Sequence, residues 1–277
     1  MYNDYTITPA KDDDHLNGVS TLDLVLIQRH ILALDELDTP YDIIAADING
    51  SENVSAADVI ELRKLILGVQ EGFNSNNSFR FVESNFVFAD EEDPFPFMEQ
   101  KEFADMDVAE AQSNFIAVKI GDVNGSMQDG LAANGNVEVR SEDAIVLYTE
   151  DQYLQVGETV LVPIYTSDIS SLAGLQYTLD YDRDYLEFVS ADGGLVSLDD
   201  SHVADHSSAS KTTVAWSTFE ATTNLSSSQP LAYFAYKVKR SGKLSNVMSI
   251  SSDITEAIAY DGDYTKYDVE LRFEASD

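Results

Sequence analysis

The stretch Asp47-Ile48-Asn49-Gly50-Ser51-Glu52-Asn53-Val54-Ser55-Ala56-Ala57-Asp58 sets oxygen-bearing residues at alternate positions of a twelve-residue loop. Asp47, Asn49 and Ser51 hold positions 1, 3 and 5 by side chain. Asn53 offers its carbonyl at position 7, Ser55 stands at 9, directly or through water, and Asp58 closes the loop at 12. Calcium takes about six to eight hard oxygens, and alternating loop positions turn them inward. A poorer copy precedes this loop. Asp12, Asp14 and Asp23 hold its positions 1, 3 and 12, and Leu16 at position 5 has only a carbonyl to give. Asn17 can replace Leu16 if the backbone rearranges, and the Gly18 carbonyl serves position 7. Asp122-Val123-Asn124-Gly125-Ser126 matches the first half of a third loop, but its position 12 is Ala133, which has no ligating side chain. A plain turn is expected there.

Other chemistry finds little support. His202 and His206 flank Asp205 in a zinc-like set, but no general-base Glu lies between them and the surroundings are serine-rich. A solvated loop is the better reading. There is no cysteine, which excludes disulfides, thiolate catalysis and cysteine-held zinc. Hydrolase, Walker and dinucleotide motifs are missing. A carboxylate pair for glycosidic chemistry is not marked by any apolar pocket that would raise a pKa. Trp216, the one tryptophan, reads as core before it reads as a sugar platform. No enzyme is expected.

Charge narrows the partners. Fifty acidic against 16 basic residues give a net charge of −34, which opposes nucleic acid and anionic membranes and suits divalent cations. No apolar run approaches the ~18 residues of a membrane span. Met1-Tyr2-Asn3-Asp4-Tyr5 has neither a basic nor an apolar signal region, so a secreted chain has lost its signal or is a piece of a longer one.

The elements that must position the loops follow from a repeat. Residues 19–32 align without gaps to 54–67, an offset of 35 residues. Two copies make a pseudo-symmetric pair of polar loop and helix. Ser55 reads as N-cap and Gly68 as helix stop. Val59, Leu62 and Ile66 share one face of the second helix, and Leu24, Ile27, Ile31 and Leu34 one face of the first. Pro40-Tyr41-Asp42-Ile43-Ile44 reads as a connector. Residues 79–82, 85–88 and 115–120 have strand-like content, with an acidic loop at 90–96. Residues 125–141, rich in Gly, Asn and Ala, read as linker. From about 143 to 273 short alternating strands and Gly-containing turns indicate a β-sandwich or jelly roll.

Asn17–Leu32 and Ala45–Gly68 resemble a type I dockerin, a duplicated calcium-loop–helix module with paired EF-hand-like loops. Val118-Lys119-Ile120-Gly121-Asp122-Val123-Asn124-Gly125 is similar to the close of an aromatic-rich extension in variants from large secreted bacterial proteins, which carries the module to residue 125. Glu52 departs from the pattern, which has Gly at position 6. The β-region resembles a cohesin, the partner of dockerins, through Val156–Pro163, Ala173–Asp182, Leu186-Glu187 and Val214-Ala215-Trp216. The implied order is a small α-helical dockerin-like module with extension at 1–125, a linker at 126–142 and an all-β cohesin-like jelly-roll sandwich at 143–277. The resemblance implies structural calcium and an extracellular or cell-surface location. It also implies a non-catalytic assembly role, with a cohesin-like or dockerin-like partner in cis or in trans. Partner contacts are implied for Thr21, Leu22, Gln28 and Arg29 in the first copy, and for Ala56, Ala57, Arg63 and Lys64 in the second. The alternative is a carbohydrate-binding region of a secreted polysaccharide-degrading protein.

Overall fold

Thr39 opens a helix where a plain connector was expected. Its hydroxyl accepts from the Asp42 amide, the Asp42 carboxylate accepts from the Thr39 amide, and Pro40 sits in the first turn. This reciprocal cap stabilises a helix too short to persist by propensity. The computed structural model describes residues 3–106, 113–127, 143–166, 169–223, 225 and 228–275. The expected linker lies outside the described residues from 128 to 142. Two compact units divide the chain. One takes Met1–Val19, Leu26–Leu65 and Glu71–Asn136, and the other Ser20–Val25, Ile66–Gln70 and Val137–Asp277.

The elements of the N-terminal part are β1 (Asn3–Ile7), α1 (Thr21–Ile31), α2 (Pro40–Ala46), α3 (Ala56–Ile66), β2 (Phe79–Glu83), β3 (Lys101–Met106) and β4 (Phe115–Lys119). β1 pairs β3 and β2 pairs β4, both antiparallel. Leu24 and Ile27 are fully buried, as their spacing requires, and so are Leu62 and Ile66. Ile31 and Leu34 are exposed, because α1 ends at Ile31 and the chain turns left-handed at Ala33, φ 53°. The face expected to run on to Leu34 stops there. Residues 85–88 form no strand. Glu83 takes the Asn85 amide on its carboxylate and the Phe86 amide on its carbonyl, which turns the chain out of β2.

The second unit holds β5 (Ile145–Asp151), β6 (Tyr153–Leu154), β7 (Thr159–Thr166), β8 (Ser171–Tyr181), β9 (Leu186–Gly193) and β10 (Val203–His206). It continues with β11 (Lys211–Thr223), β12 (Ala232–Val238), β13 (Gly242–Lys243), β14 (Met248–Ser251), β15 (Ile258–Tyr260) and β16 (Lys266–Ala275). The main ladder runs β10-β11-β8-β15-β16-β5-β7-β12-β9, with β14 also on β8. Its pairs are antiparallel except β16 with β5. The sandwich core includes Leu175, Tyr177, Leu179, Val214, Trp216, Phe234 and Tyr236. β12 and β7 alternate buried and partly exposed residues, as strands with one dry face do. β8 and β11 do not: residues 172–179 and 212–217 are buried without a break.

Candidate functional site

In the loop from Asp47 to Asp58 both end carboxylates are fully buried. Asp47 accepts the amides of Ser51 and Glu52, at 2.8 and 2.9 Å. Asp58 accepts the Ser55 amide at 2.8 Å, the Ser55 hydroxyl at 3.1 Å and the Asn49 amide at 3.1 Å. The Ser51 hydroxyl donates to the Asn53 carbonyl. Burial pushes the Asp47 carboxyl above the usual range; the two amides oppose this and the Asp58 carboxylate adds to it. Asn49 Oδ1 is buried with no hydrogen-bond donor. Two desolvated carboxylates beside an unsatisfied amide oxygen are a donor set that a hard cation fits. Glu52, at the position where glycine is usual, adopts φ 60°.

Asp12 accepts the Ser78 amide at 2.9 Å and lies 3.5 Å from His15 Nε2, while Asp14 and Leu16 are exposed. Asn17 closes a turn, its amide donating to the Asp14 carbonyl. Asp122 and Ser126 approach Gly18 instead. The Ser126 hydroxyl donates to the Gly18 carbonyl at 3.0 Å, and a Cβ on Gly18 would stand 2.6 Å from Asp122 Oδ2. Asp122 accepts the amides of Ser126 and Met127, both at 2.9 Å, as Asp47 accepts those of Ser51 and Glu52. Gly125 and Gly50 share φ near 68° and 69°. Along the chain from Gly18, Asp23 accepts the Ser20 amide at 2.8 Å and hydroxyl at 3.2 Å, as Asp58 accepts those of Ser55. The chain turns at Asp122–Ser126, and the turn repeats the two amide bonds that Asp47 accepts in the other loop.

The double burial of β8 and β11 marks a face. Leu175, Tyr177 and Leu179 point into the core, so Gln176 and Thr178 point away, yet they are 2% and 0% exposed. Ser20–Val25 and Ile66–Gln70, of the same compact unit, meet these residues. The Thr21 amide donates to Gln176 Oε1 at 2.7 Å, and Tyr260 Oη to Ser20 Oγ at 3.1 Å. Thr255 donates its hydroxyl to the Ile66 carbonyl at 2.6 Å, and Thr213 to the Leu67 carbonyl at 2.7 Å. His206 Nε2 stands 2.9 Å from the same Leu67 oxygen; a carbonyl only accepts, so Nε2 carries the proton. Thr178 accepts the amides of Ile254 and Thr255, which fixes the loop presenting Thr255. A Cβ on Gly174 would stand 2.8 Å from Thr21 Oγ1.

Of the residues expected to contact a partner, Thr21 is on this face and Leu22 is buried beside it in sequence. Arg29 pairs with Asp35 at 3.6 Å, Gln28 is half-buried, and Arg63 is buried. Ala56, Ala57 and Lys64 are exposed. The reading missed Ile66 and Leu67 because they act through main-chain oxygens, which side-chain identity does not reveal. A signal was present nonetheless: the outward positions Gly174, Thr178, Thr213, Ala215 and Ser217 are small and uncharged in a chain of net charge −34.

Trp216 is 4% exposed and packs in the core, as its first reading had it. His202 pairs with Asp199 while His206 bonds Leu67, so the zinc-like set is not assembled. Among the described residues no three His, Cys, Asp or Glu side chains group as a metal cage. No helix of the described residues is long and apolar enough to cross a membrane.

Comparison with known proteins bears on this sandwich. Residues 144–270 match the cohesin domain family. Cohesin domains are non-catalytic protein-interaction modules. Among solved structures, the sixth cohesin of Acetivibrio cellulolyticus scaffoldin B, in complex with a Cel5 dockerin mutant, is 18% identical. It covers 47% of this chain and 99% of that one, with a TM-score of 0.36. The Clostridium thermocellum Coh-OlpC-Doc435 complex gives 13% identity, 52% and 100% coverage and a TM-score of 0.38. A non-cellulosomal cohesin from Archaeoglobus fulgidus gives 14%, 48% and 92%, and 0.35. No curated protein matches the chain.

Proposed function

We propose that this chain is a non-catalytic, calcium-dependent assembly or anchoring element of an extracellular or cell-surface protein, working by dockerin–cohesin-type docking. The observation that carries the reading is the dry outer face of β8 and β11 on a region that matches the cohesin family. A sandwich strand dry on both faces has lost its solvent side to something docked there. Calcium enters as the cation for the loops. Asp47, Asn49, Ser51, the Asn53 carbonyl, Ser55 and Asp58 take one ion. For the other, Asp122, Asn124 and Ser126, with the Gly18 carbonyl, replace Asp12, Asp14, Leu16 and Asn17. The matching hydrogen bonds at Asp122 and Asp47 support this exchange. The ion neutralises buried carboxylates and so holds the loop ahead of each helix. A polysaccharide partner has less support, since the tryptophan is in the core.

Limited proteolysis of the intact chain tests this reading. With calcium, residues 20–25 and 66–70 resist cleavage; with EGTA they are cut first. Identical digestion patterns in the two conditions contradict calcium-dependent docking.

A further inference from the structure

We infer that the outer face of β8, β11 and β15 is a receptor for helix ends, and that Ser20–Val25 and Ile66–Gln70 of this same chain fill it, closing it to other partners. The inference deepens the docking reading above and rests on it for the kind of partner excluded. A helix leaves its first amides and its last carbonyls without intrahelical partners. The face supplies both complements. Gln176 offers an acceptor to Thr21, in the first turn of α1. Thr255, Thr213 and His206 offer donors to Ile66 and Leu67, at the end of α3.

The match is steric as well as polar. Thr21 lies so close to Gly174 that a methyl group there would meet Thr21 Oγ1 at 2.8 Å and Thr21 Cβ at 3.2 Å. Tyr260 is fully buried, with its hydroxyl on Ser20. Recognition through main-chain groups reads where helices begin and end more than which side chains they carry. A competing partner therefore needs one helix start and one helix end at the same separation, and it must first displace the resident pair.

Amide hydrogen exchange by NMR on the dilute, calcium-loaded intact chain tests this. The Thr21 amide has no intrahelical acceptor, so only an outside group can slow it. The expected result is protection of about a hundredfold or more, independent of protein concentration. Gly174→Ala should speed exchange at Thr21 about tenfold or more while the amides of β7 and β12 keep their rates, and adding Thr21→Ala should restore protection at residue 21. If Gly174→Ala disturbs the whole sandwich, Gln176→Ala decides, since it removes only the acceptor. An unprotected Thr21 in the dilute chain, or protection untouched by either variant, overturns the inference. Protection that appears only at high concentration puts a second copy on the face, which overturns closure in cis and leaves the docking reading standing. No protection at any concentration removes both.

Discussion

Glu52 carries a cost at the residue scale. A non-glycine residue at φ 60° loses about 1–2 kcal/mol to the clash of its Cβ, and the exposed Glu52 side chain is in no position to offset that by burial. Glu52→Gly should therefore stabilise the chain by about 1 kcal/mol in denaturant unfolding, less what the freer unfolded chain takes back. Asp58→Ala should lower calcium affinity more than about tenfold, a loss above ~1.4 kcal/mol. Asp122→Ala should do the same for the other loop, and Asp12→Ala should leave calcium binding unchanged; calorimetric titration of the three variants checks the order. Asp47, Asn49 and Ser51 could be proposed as ligands from the sequence because they stand at alternate positions of one loop. Asp122–Ser126 was legible as the front half of a loop, but its approach to Gly18 was not, because Gly18 is more than a hundred residues away in the chain and Ala133 made the local loop look incomplete.

Helix ends and strand faces decide the next level. The Ile66 carbonyl takes its hydroxyl donor from Thr255, whereas the Leu67 carbonyl has both Thr213 and His206. Thr255→Val should therefore destabilise more, by about 1–3 kcal/mol for a buried acceptor left short. Thr213→Val should cost less, because His206 keeps the Leu67 oxygen bonded. Urea unfolding of the two isosteric variants gives the comparison, and a larger loss for Thr213→Val would contradict the assignment. α1 and α3 were readable from their apolar spacing and from Gly68, which adopts φ 69° just past α3. α2 was not, because seven residues carry too little periodicity, although Thr39-Pro40 and Asp42 spelled its cap. β5, β7, β12 and β16 showed one-sided alternation. β10, β14 and β15 are three or four residues long and owe their extended form to the neighbours they pair with.

The whole molecule carries a net charge of −34, which repels itself in the compact state. Raising sodium chloride from about 10 mM to 150 mM shortens the Debye length from about 30 to about 8 Å and should raise the melting temperature of the calcium-free chain. A melting temperature that falls with salt would mean that attractive pairs outweigh the repulsion. The proposed calcium would act on the same balance at chosen points, and this is the central claim. Isothermal titration of calcium into the metal-stripped intact chain, followed by thermal unfolding, tests it. The predicted result is one ion bound per loop, with a stabilisation of about 4 kcal/mol per ion once free calcium reaches about a thousand times its dissociation constant. No heat of binding up to millimolar calcium, with a melting temperature indifferent to EGTA, would contradict it.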